Sequence, residues 1–353
     1  MSVRNIWQST RIYSWQRKRT EPEKEGVYMQ KQDKISIIVP CHNEEEVLPL
    51  FLKEIEKIYE VMHVKHNVEM EYLFVDDGST DRTLMFLREQ EAENPRVNYL
   101  SFSRNFGKEA AMFAGLEKAS GDYVVIIDAD LQDPPELIIE MYETLQTTDY
   151  DCVASRRVSR KGESKIRSFF ARMFYKVIRK ISKVNIMDGA RDFRMMTRQM
   201  TDAVLSLREY NRFSKGIFAW VGFNTKWIPF ENRNREAGTT KWSFWGLLVY
   251  AIDGILAFST APLALSAILG LAFCAIAIIM IFVIIWKTLA FGDKVAGWPS
   301  LACILCFTAG ISMFCNGVIG LYVSKTYSEV KGRPQYILKD EKVKSQQKSL
   351  SEK

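Results

Sequence analysis

Two aspartates separated by one residue, Asp128 and Asp130, directly follow an apolar run. Carboxylates this close repel each other unless a cation neutralises them. Oxygen ligands of this kind suit Mg²⁺ or Mn²⁺, ions that commonly keep waters and bridge to the phosphates of a substrate. Gln132 adds an oxygen donor to the same loop. The stretch IIDADLQDPP therefore predicts an acidic, cation-binding rim.

A solvated turn, with Asp133 capping the next helix, would explain a D-x-D pattern that stood alone. A second acidic pair, Asp76 and Asp77, follows another apolar run upstream. A carboxylate at that place is suited to accept a hydrogen bond from a nucleobase or a ribose. An Asx turn with a helix cap accounts for Ser79 and Asp81, but it explains the pair itself less well.

The elements that must position these carboxylates are visible as β-branched apolar runs that alternate with helical patterns over residues 35–250. This alternation predicts an α/β domain with a mostly parallel sheet that is covered on both faces. Strands are predicted over residues 35–40, 71–79, 97–103 and 122–130. Asn43 is expected to cap the first helix. Ligands of such sheets bind beyond the carboxyl ends of the strands, where Pro40, Asn43 and Glu44 would share a rim with both acidic pairs.

Two uncharged stretches, residues 254–286 and 295–324, are both longer than a bilayer requires. They predict a transmembrane hairpin over residues 259–325. Basic side chains flank it, and the positive-inside tendency then places both flanks in the cytoplasm. Two buried core helices are the alternative interpretation.

A strongly basic segment, residues 155–183, contains eleven Lys or Arg side chains and one acidic side chain. Its apolar residues recur at three- and four-residue steps, which predicts a basic amphipathic helix over about 164–183 in a membrane interface. An ordinary domain helix and a nucleic-acid patch are the alternatives. Because no nucleic-acid recognition motif is present, we expect no nucleic-acid partner. A second interfacial segment is expected over residues 241–258.

The polar ends of the chain are a leader over residues 1–33 and a tail over residues 326–353. We expect the leader and residues 338–353 to be disordered. Residues 188–194 alternate in charge and leave two interpretations open, a turn whose charges pair with one another or part of an acceptor pocket.

Four motifs carry a resemblance to a known family: IIVPCHNEEEVL, FVDDGSTDRT, SFSRNFGKEAAMFAGL and IIDADLQDPPE. In this order and spacing they resemble the family 2 inverting glycosyltransferases with a GT-A fold. The resemblance is in particular to the polyprenyl-phosphate branch, which includes bactoprenol glucosyltransferases and dolichol-phosphate mannose synthases, and it covers about residues 34–330. It implies a Rossmann-like GT-A catalytic domain over residues 34–240, followed by interfacial helices and two C-terminal transmembrane helices.

The resemblance also implies residue roles. The residues that it places at the nucleotide sugar are Pro40, Asn43, Glu44, Asp76, Asp77, Lys108 and Asp128. It assigns two roles, binding of the metal, Mg²⁺ or Mn²⁺, and catalysis, to Asp128, Asp130 and Gln132. It also places Arg156 in the catalytic set. A phosphate acceptor is already anionic near pH 7, so it needs positioning cations more than a general base. Arginine matches phosphate geometry, and the residues expected at the lipid phosphate are Arg156, Arg167, Arg235 and Lys241.

The implied activity is that of a hexosyltransferase of the EC 2.4 class. It would move a hexose, with UDP-glucose favoured as donor, to undecaprenyl or another polyprenyl phosphate with inversion. The product would be a lipid-linked monosaccharide for cell-envelope glycosylation, made at the cytoplasmic membrane face, and a homo-oligomer is compatible with the sequence. The alternatives are a processive polysaccharide synthase, whose Q-x-x-R-W motif this sequence lacks, and a non-catalytic two-span scaffold or lipid-binding protein.

Overall fold

The computed structural model describes residues 32–158, 187, 189–230, 252–291 and 297–343. Several predictions of the sequence fall outside the described residues: the amphipathic helix over about 164–183, most of the segment 241–258, and the side chains of Arg167, Arg235 and Lys241.

An eight-stranded sheet forms the centre of the described chain, in the order β7-β5-β6-β4-β1-β2-β3-β8. Its strands are β1 (Lys34–Cys41), β2 (Glu69–Asp76), β3 (Val97–Phe102), β4 (Tyr123–Ile126), β5 (Cys152–Arg157), β6 (Ala190–Thr197), β7 (Thr225–Phe230) and β8 (Leu338–Lys342). Neighbours among β4, β1, β2 and β3 are parallel, as are β5 and β7. β6 and β8 run antiparallel to their neighbours. The prediction of a mostly parallel α/β sheet is confirmed, although β4 is shorter than expected.

Helices cover both faces of the sheet. They are α1 (Leu48–His66), α2 (Thr83–Glu93), α3 (Lys108–Lys118), α4 (Leu137–Thr147), α5 (Arg198–Ser206) and α6 (Ser214–Trp220). Side chains alternate along a strand, so β1 sends Ile35, Ile37 and Val39 into one core with α1, α2 and α4. Ile38 points the other way, into a second core with α3, α5 and α6. This burial on both sides explains why β1 is an almost uninterrupted apolar run.

The first helix begins later than the sequence predicted. Val47 is its N-cap and Leu48 its first residue, so the prediction that Asn43 caps it is wrong. Asn43 has a φ of 53°, and its Oδ1 accepts a hydrogen bond of 2.8 Å from the backbone N–H of Thr80. Its own backbone N–H donates to Ser79 Oγ at 2.9 Å. The short amide side chain thus bonds the neighbouring loop instead of its own helix.

Two long helices, α7 (Ala261–Phe291) and α8 (Trp298–Val330), form an apolar hairpin. Each contains a segment long and apolar enough to cross a membrane, Ala261–Met280 and Phe307–Val330. Only 6% and 0% of the most apolar windows of these segments are buried. Leu271, for example, is 74% exposed. The alternative interpretation, two buried core helices, is therefore wrong.

The polar tail is partly ordered. α8 continues to Val330, and residues 338–342 form β8, which pairs with β3. The prediction of disorder is wrong for these five residues, because the exposed edge of β3 offers backbone partners to a segment that has few apolar side chains of its own.

The turn after β2 approaches the backbone of the loop after β3, and glycine permits this. Gly78 has a φ of +63°, and a Cβ there would lie 2.7 Å from the backbone nitrogen of Asn105. Gly222 has a φ of +76°, but a Cβ there would meet nothing within 4 Å. Gly222→Ala is therefore a matched control that carries the backbone strain alone.

We expect Gly78→Ala to lower the free energy of unfolding by about 2 kcal/mol more than Gly222→Ala does, because only the first substitution overpacks the backbone. Denaturant unfolding of the purified protein measures both. Equal destabilisation by the two substitutions would contradict the close approach of these loops.

Candidate active site

Loops from several strands meet at one edge of the sheet. β1, β2 and β4 are parallel, so their carboxyl ends share this edge. β6 is antiparallel to β4, with Ile126 opposite Arg194. The residues that begin β6 therefore lie beside the loop that follows β4, where Asp128 is located.

A lysine lies between two carboxylates at this edge. Lys108, the first residue of α3, places its Nζ 2.6 Å from Asp128 Oδ1 and 2.7 Å from Asp192 Oδ2. The side chains of Lys108, Asp128 and Asp192 are 35%, 25% and 17% exposed, so the ion triad is accessible from solvent. The cation that the crowded acidic motif demands is thus supplied, in part, by the chain itself.

The charges of this triad reinforce one another. Burial alone would lower the pKa of Lys108, but Asp128 and then Asp192 outweigh it and hold the pKa above its usual range. Burial would raise the pKa of Asp192, but Lys108 and then Lys215 hold it well below its ordinary value. The triad joins two carboxylates and one ammonium, so its formal charge is one negative.

The rest of the loop after β4 is held by different contacts. Asp130 is 9% exposed, and its Oδ1 accepts a hydrogen bond of 3.2 Å from the backbone N–H of Gln132. Asp133 is 1% exposed and receives the guanidinium of Arg191, with Nε at 3.0 Å from Oδ1. Burial raises the pKa of Asp133 to about 6 even though Arg191 opposes that shift. Asp133 does not cap α4, whose N-cap is Glu136.

The charges at the start of β6 pair with other elements of the fold. Arg191 pairs with Asp133, Asp192 pairs with Lys108, and Arg194 donates to the backbone carbonyls of Arg191 and Asp192. The interpretation that this stretch is a turn whose charges pair with one another is therefore wrong for the ion pairs of residues 189–194, which the structure describes. Sequence reasoning left the role of Asp192 open, because only the pairing of β6 with β4 brings it to Asp128.

The acidic pair at the end of β2 is buried and already hydrogen-bonded. Asp76 accepts bonds from the Ser79 backbone N–H at 3.0 Å and from Ser101 Oγ at 2.8 Å. Asp77 accepts from the backbone N–H groups of Phe106 and Gly107, at 2.6 and 2.9 Å. Burial raises the pKa of Asp77 against these bonds. Both carboxylates hold turns at the rim, and only their remaining lone pairs are left for a nucleotide.

Pro40 at the end of β1, and Asn43 and Glu44 in the loop after it, lie on the same rim. Pro40 is opposite Val75 in the β1–β2 ladder. The backbone N–H of Glu44 donates to Thr83 Oγ1 at 2.9 Å. Together with the contacts of Asn43, this bond ties the loop after β1 to the loop after β2 and brings both beside the acidic pair.

Arg156 is a partly buried cation in β5, opposite Ala190 of β6. Its Nη1 lies 3.7 Å from Met187 Sδ, a weak acceptor. Its Nε is buried, and no partner for it occurs among the residues that the structure describes. Within the same described ranges no carboxylate forms an ion pair with it. A partly buried guanidinium of this kind is suited to an anionic ligand.

A cavity of about 620 Å³ lies elsewhere, between the loop before α6, residues 253–257 and the end of α8. Its charged lining residues are Glu109, Glu209, Asp253, Glu329, Arg212 and Lys325. Four acidic side chains against two basic ones make this cavity a poor phosphate site, so we place no substrate phosphate there.

Comparison with known proteins identifies the family. The sequence matches Glycosyl transferase family 2 over residues 36–205. Bactoprenol glucosyl transferase of Shigella phage SfV is 40% identical over 311 residues, which are 88% of this chain and 100% of the relative. This chain belongs to glycosyl transferase family 2. The prophage bactoprenol glucosyl transferase homolog of Escherichia coli (strain K12) is also 40% identical, over 87% of this glycosyltransferase and 98% of the relative.

A solved structure also aligns with part of this chain. Glucosyl-3-phosphoglycerate synthase from Mycobacterium tuberculosis, in complex with Mn²⁺, UDP and glucosyl-3-phosphoglycerate, is 21% identical with a TM-score of 0.44. The match covers 64% of this glycosyltransferase and 78% of that chain.

We expect Lys108→Met to lower the rate of sugar transfer by about 10–100-fold, because Asp128 and Asp192 would lose their shared cation and turn away from each other. Lys57→Met is the matched control, since it breaks an exposed pair with Glu54 on α1. Initial rates with labelled donor, together with an unfolding curve for each variant, make the test. An unchanged rate in Lys108→Met would show that the site does not depend on Lys108.

Proposed function

We propose that this glycosyltransferase transfers glucose from UDP-glucose to a polyprenyl phosphate, such as undecaprenyl phosphate, with inversion at the anomeric carbon. The main support is the 40% identity to two relatives named as bactoprenol glucosyl transferases or their homologues, over nearly their whole lengths. The charged rim and the exposed apolar hairpin supply the two environments that such substrates need, one for a nucleotide sugar and one for a lipid.

We place the hairpin across the membrane and the sheet on the cytoplasmic side. Exposed apolar helices of this length are costly in water and stable in lipid. Basic side chains outnumber acidic ones by eight to four in residues 325–353, which favours a cytoplasmic location for that end. An even number of spans then keeps the catalytic sheet on the same side.

The residues at the rim fit a divalent ion. Asp128, Asp130 and Gln132 offer hard oxygen donors within five residues, and Asp128 is a quarter exposed, so it is open to an incoming ion. Among the described residues, no three or more Asp, Glu, His or Cys side chains are grouped so that they could hold a metal ion by themselves. Mg²⁺ and Mn²⁺ tolerate so few protein ligands because water and substrate phosphates complete their shell. When bound, the ion would neutralise charge on the leaving diphosphate.

Lys108 would act beside this ion. Its ammonium is already directed at Asp128, and Asp192 on the far side holds it there when Asp128 takes a different partner. We propose that Lys108 lies against the donor diphosphate and that Asp76 and Asp77, through their free lone pairs, border the base and ribose. Pro40, Asn43 and Glu44 would close the same side of the nucleotide.

The acceptor needs positioning rather than deprotonation. A phosphate monoester has a second pKa of about 6, so its oxygen is already a nucleophile at neutral pH. We propose that Arg156 holds this phosphate, with Arg167, Arg235 and Lys241 as further candidates. The phosphate oxygen attacks the anomeric carbon and forms the new C–O bond. The bond to UDP breaks on the opposite face, and UDP leaves with that electron pair.

We expect Asp130→Asn to lower the transfer of labelled glucose from UDP-glucose to undecaprenyl phosphate by at least about 100-fold, because it removes a metal ligand charge. The variant should remain folded and membrane-bound. Asp202→Asn, at an exposed position of α5, is the matched control. Near-normal turnover of Asp130→Asn, or full activity after chelation with EDTA, would remove the metal role. A polymeric product would instead identify a processive synthase.

We expect Arg156→Met to raise the KM for undecaprenyl phosphate by about tenfold or more and to leave the KM for UDP-glucose within about twofold, since a charge-assisted hydrogen bond to phosphate is lost. Arg208→Met, at an exposed arginine, is the control. A rise in the donor KM alone would assign Arg156 to the diphosphate rather than to the acceptor.

A further inference from the structure

The chain returns to the catalytic sheet after the apolar hairpin. We call residues 329–342 the C-terminal leg. Its strand β8 pairs antiparallel with β3, with Lys342 opposite Tyr99 and Leu338 opposite Phe102. The backbone N–H of Ser103 donates to Ile337 O at 2.9 Å, which extends the ladder past the end of β3. The leg therefore reaches the carboxyl edge of the sheet, where the acidic rim lies.

Side chains anchor the leg to three different elements. Asp340 accepts bonds from Arg88 of α2 at 2.6 Å and from Tyr99 of β3 at 3.1 Å. Glu341 pairs with Lys118 of α3 at 2.7 Å. Single exposed ion pairs contribute little, but together with the backbone ladder they hold the leg in one register.

An aromatic contact leads from the leg to the rim. The ring of Tyr336 stacks on Phe102, with centroids 4.9 Å apart, and its hydroxyl donates to Glu117 at 2.8 Å. Phe102 in turn meets Phe106 edge to face at 5.8 Å. The backbone N–H of Phe106 is one of the two that bind Asp77, and the loop that contains it leads directly into Lys108.

The start of the leg also reaches α3, through a second loop. Glu329 accepts hydrogen bonds from the backbone N–H groups of Tyr210 and Asn211, at 3.0 and 3.2 Å. The loop that contains these residues leads to Ser214, whose backbone N–H and hydroxyl both donate to Glu109. Glu109 follows Lys108 on α3. The turn before Lys108 and the loop that bonds to Glu109 are therefore both held by the chain segment that leaves the hairpin.

We propose that the C-terminal leg is a positioning element for the donor site, which ties the turn before Lys108 to the membrane hairpin. The inference rests on the proposed function for the identity of the donor. A strand that only protected the edge of β3 would need the backbone hydrogen bonds to β3. It would need neither the stacking of Tyr336 on Phe102 nor the hydrogen bonds of Glu329 to the loop before α6.

The test compares Tyr336→Ala with Tyr336→Phe in the full-length protein. Tyr336→Phe keeps the ring and loses only the bond to Glu117, whereas Tyr336→Ala loses both. We expect Tyr336→Ala to raise about tenfold both the Kd for UDP in the presence of Mn²⁺ and the KM for UDP-glucose. The KM for undecaprenyl phosphate should stay within about twofold, and Tyr336→Phe should resemble the wild type in all three constants.

Each outcome decides the proposal. A lower unfolding temperature of Tyr336→Ala with unchanged Kd for UDP would show that the leg is only an edge cover, and the proposal would be overturned. If Tyr336→Ala does not fold, Tyr336→Leu replaces it with the same expectation, because leucine keeps the buried apolar volume without the stack. Absence of glucose transfer by the wild type would sink the proposed function, while calorimetric UDP binding would still test the leg.

Discussion

Crowding of negative charge at one edge of the sheet is the constraint around which this glycosyltransferase is organised. Two unit charges 4 Å apart interact by about 4 kcal/mol at an effective dielectric of 20, so the fold has to answer each carboxylate. It does so in different ways. Asp77 receives backbone N–H groups, Asp133 receives a guanidinium, and Asp128 shares the ammonium of Lys108 with Asp192. The residual negative charge of the triad leaves a site to which a further cation is attracted.

The topology of the sheet makes this arrangement possible. The parallel strands β1, β2 and β4 bring their carboxyl ends to one edge, which collects the acidic loops. The loop after the parallel strand β3 brings one counter-charge, Lys108, to the same edge. The first residues of the antiparallel strand β6 extend the network, because Arg191 pairs with Asp133 and Asp192 pairs with Lys108. The ion network thus combines loops of parallel strands with the start of an antiparallel strand.

The apolar hairpin and the catalytic sheet share more than a covalent connection. The end of α8 holds the loop before α6, and β8 completes the edge of β3. Both contacts converge on α3, the helix that begins with Lys108. Under the proposed function, these contacts would set the position of the donor site relative to the bilayer, which a flexible tether would not provide.

Local signals determined much of the molecule. The β-branched runs predicted β1 to β4 because a strand buried on both faces is apolar without alternation. The length of the uncharged stretches predicted the hairpin, and the D-x-D loop predicted an acidic edge that needs a cation. What the sequence left open were the partners. Asn43 looked like a helix cap, but it bonds a loop more than 35 residues away in the chain. The polar stretch of β8 had no strand signal, since an edge strand with exposed faces needs no apolar pattern, and its Asp340 meets Tyr99 across 241 residues. Composition and spacing therefore determined which charges and apolar lengths the chain carries. Only the tertiary structure decided which charge neutralises which, because those pairs come from segments that long-range packing brings together.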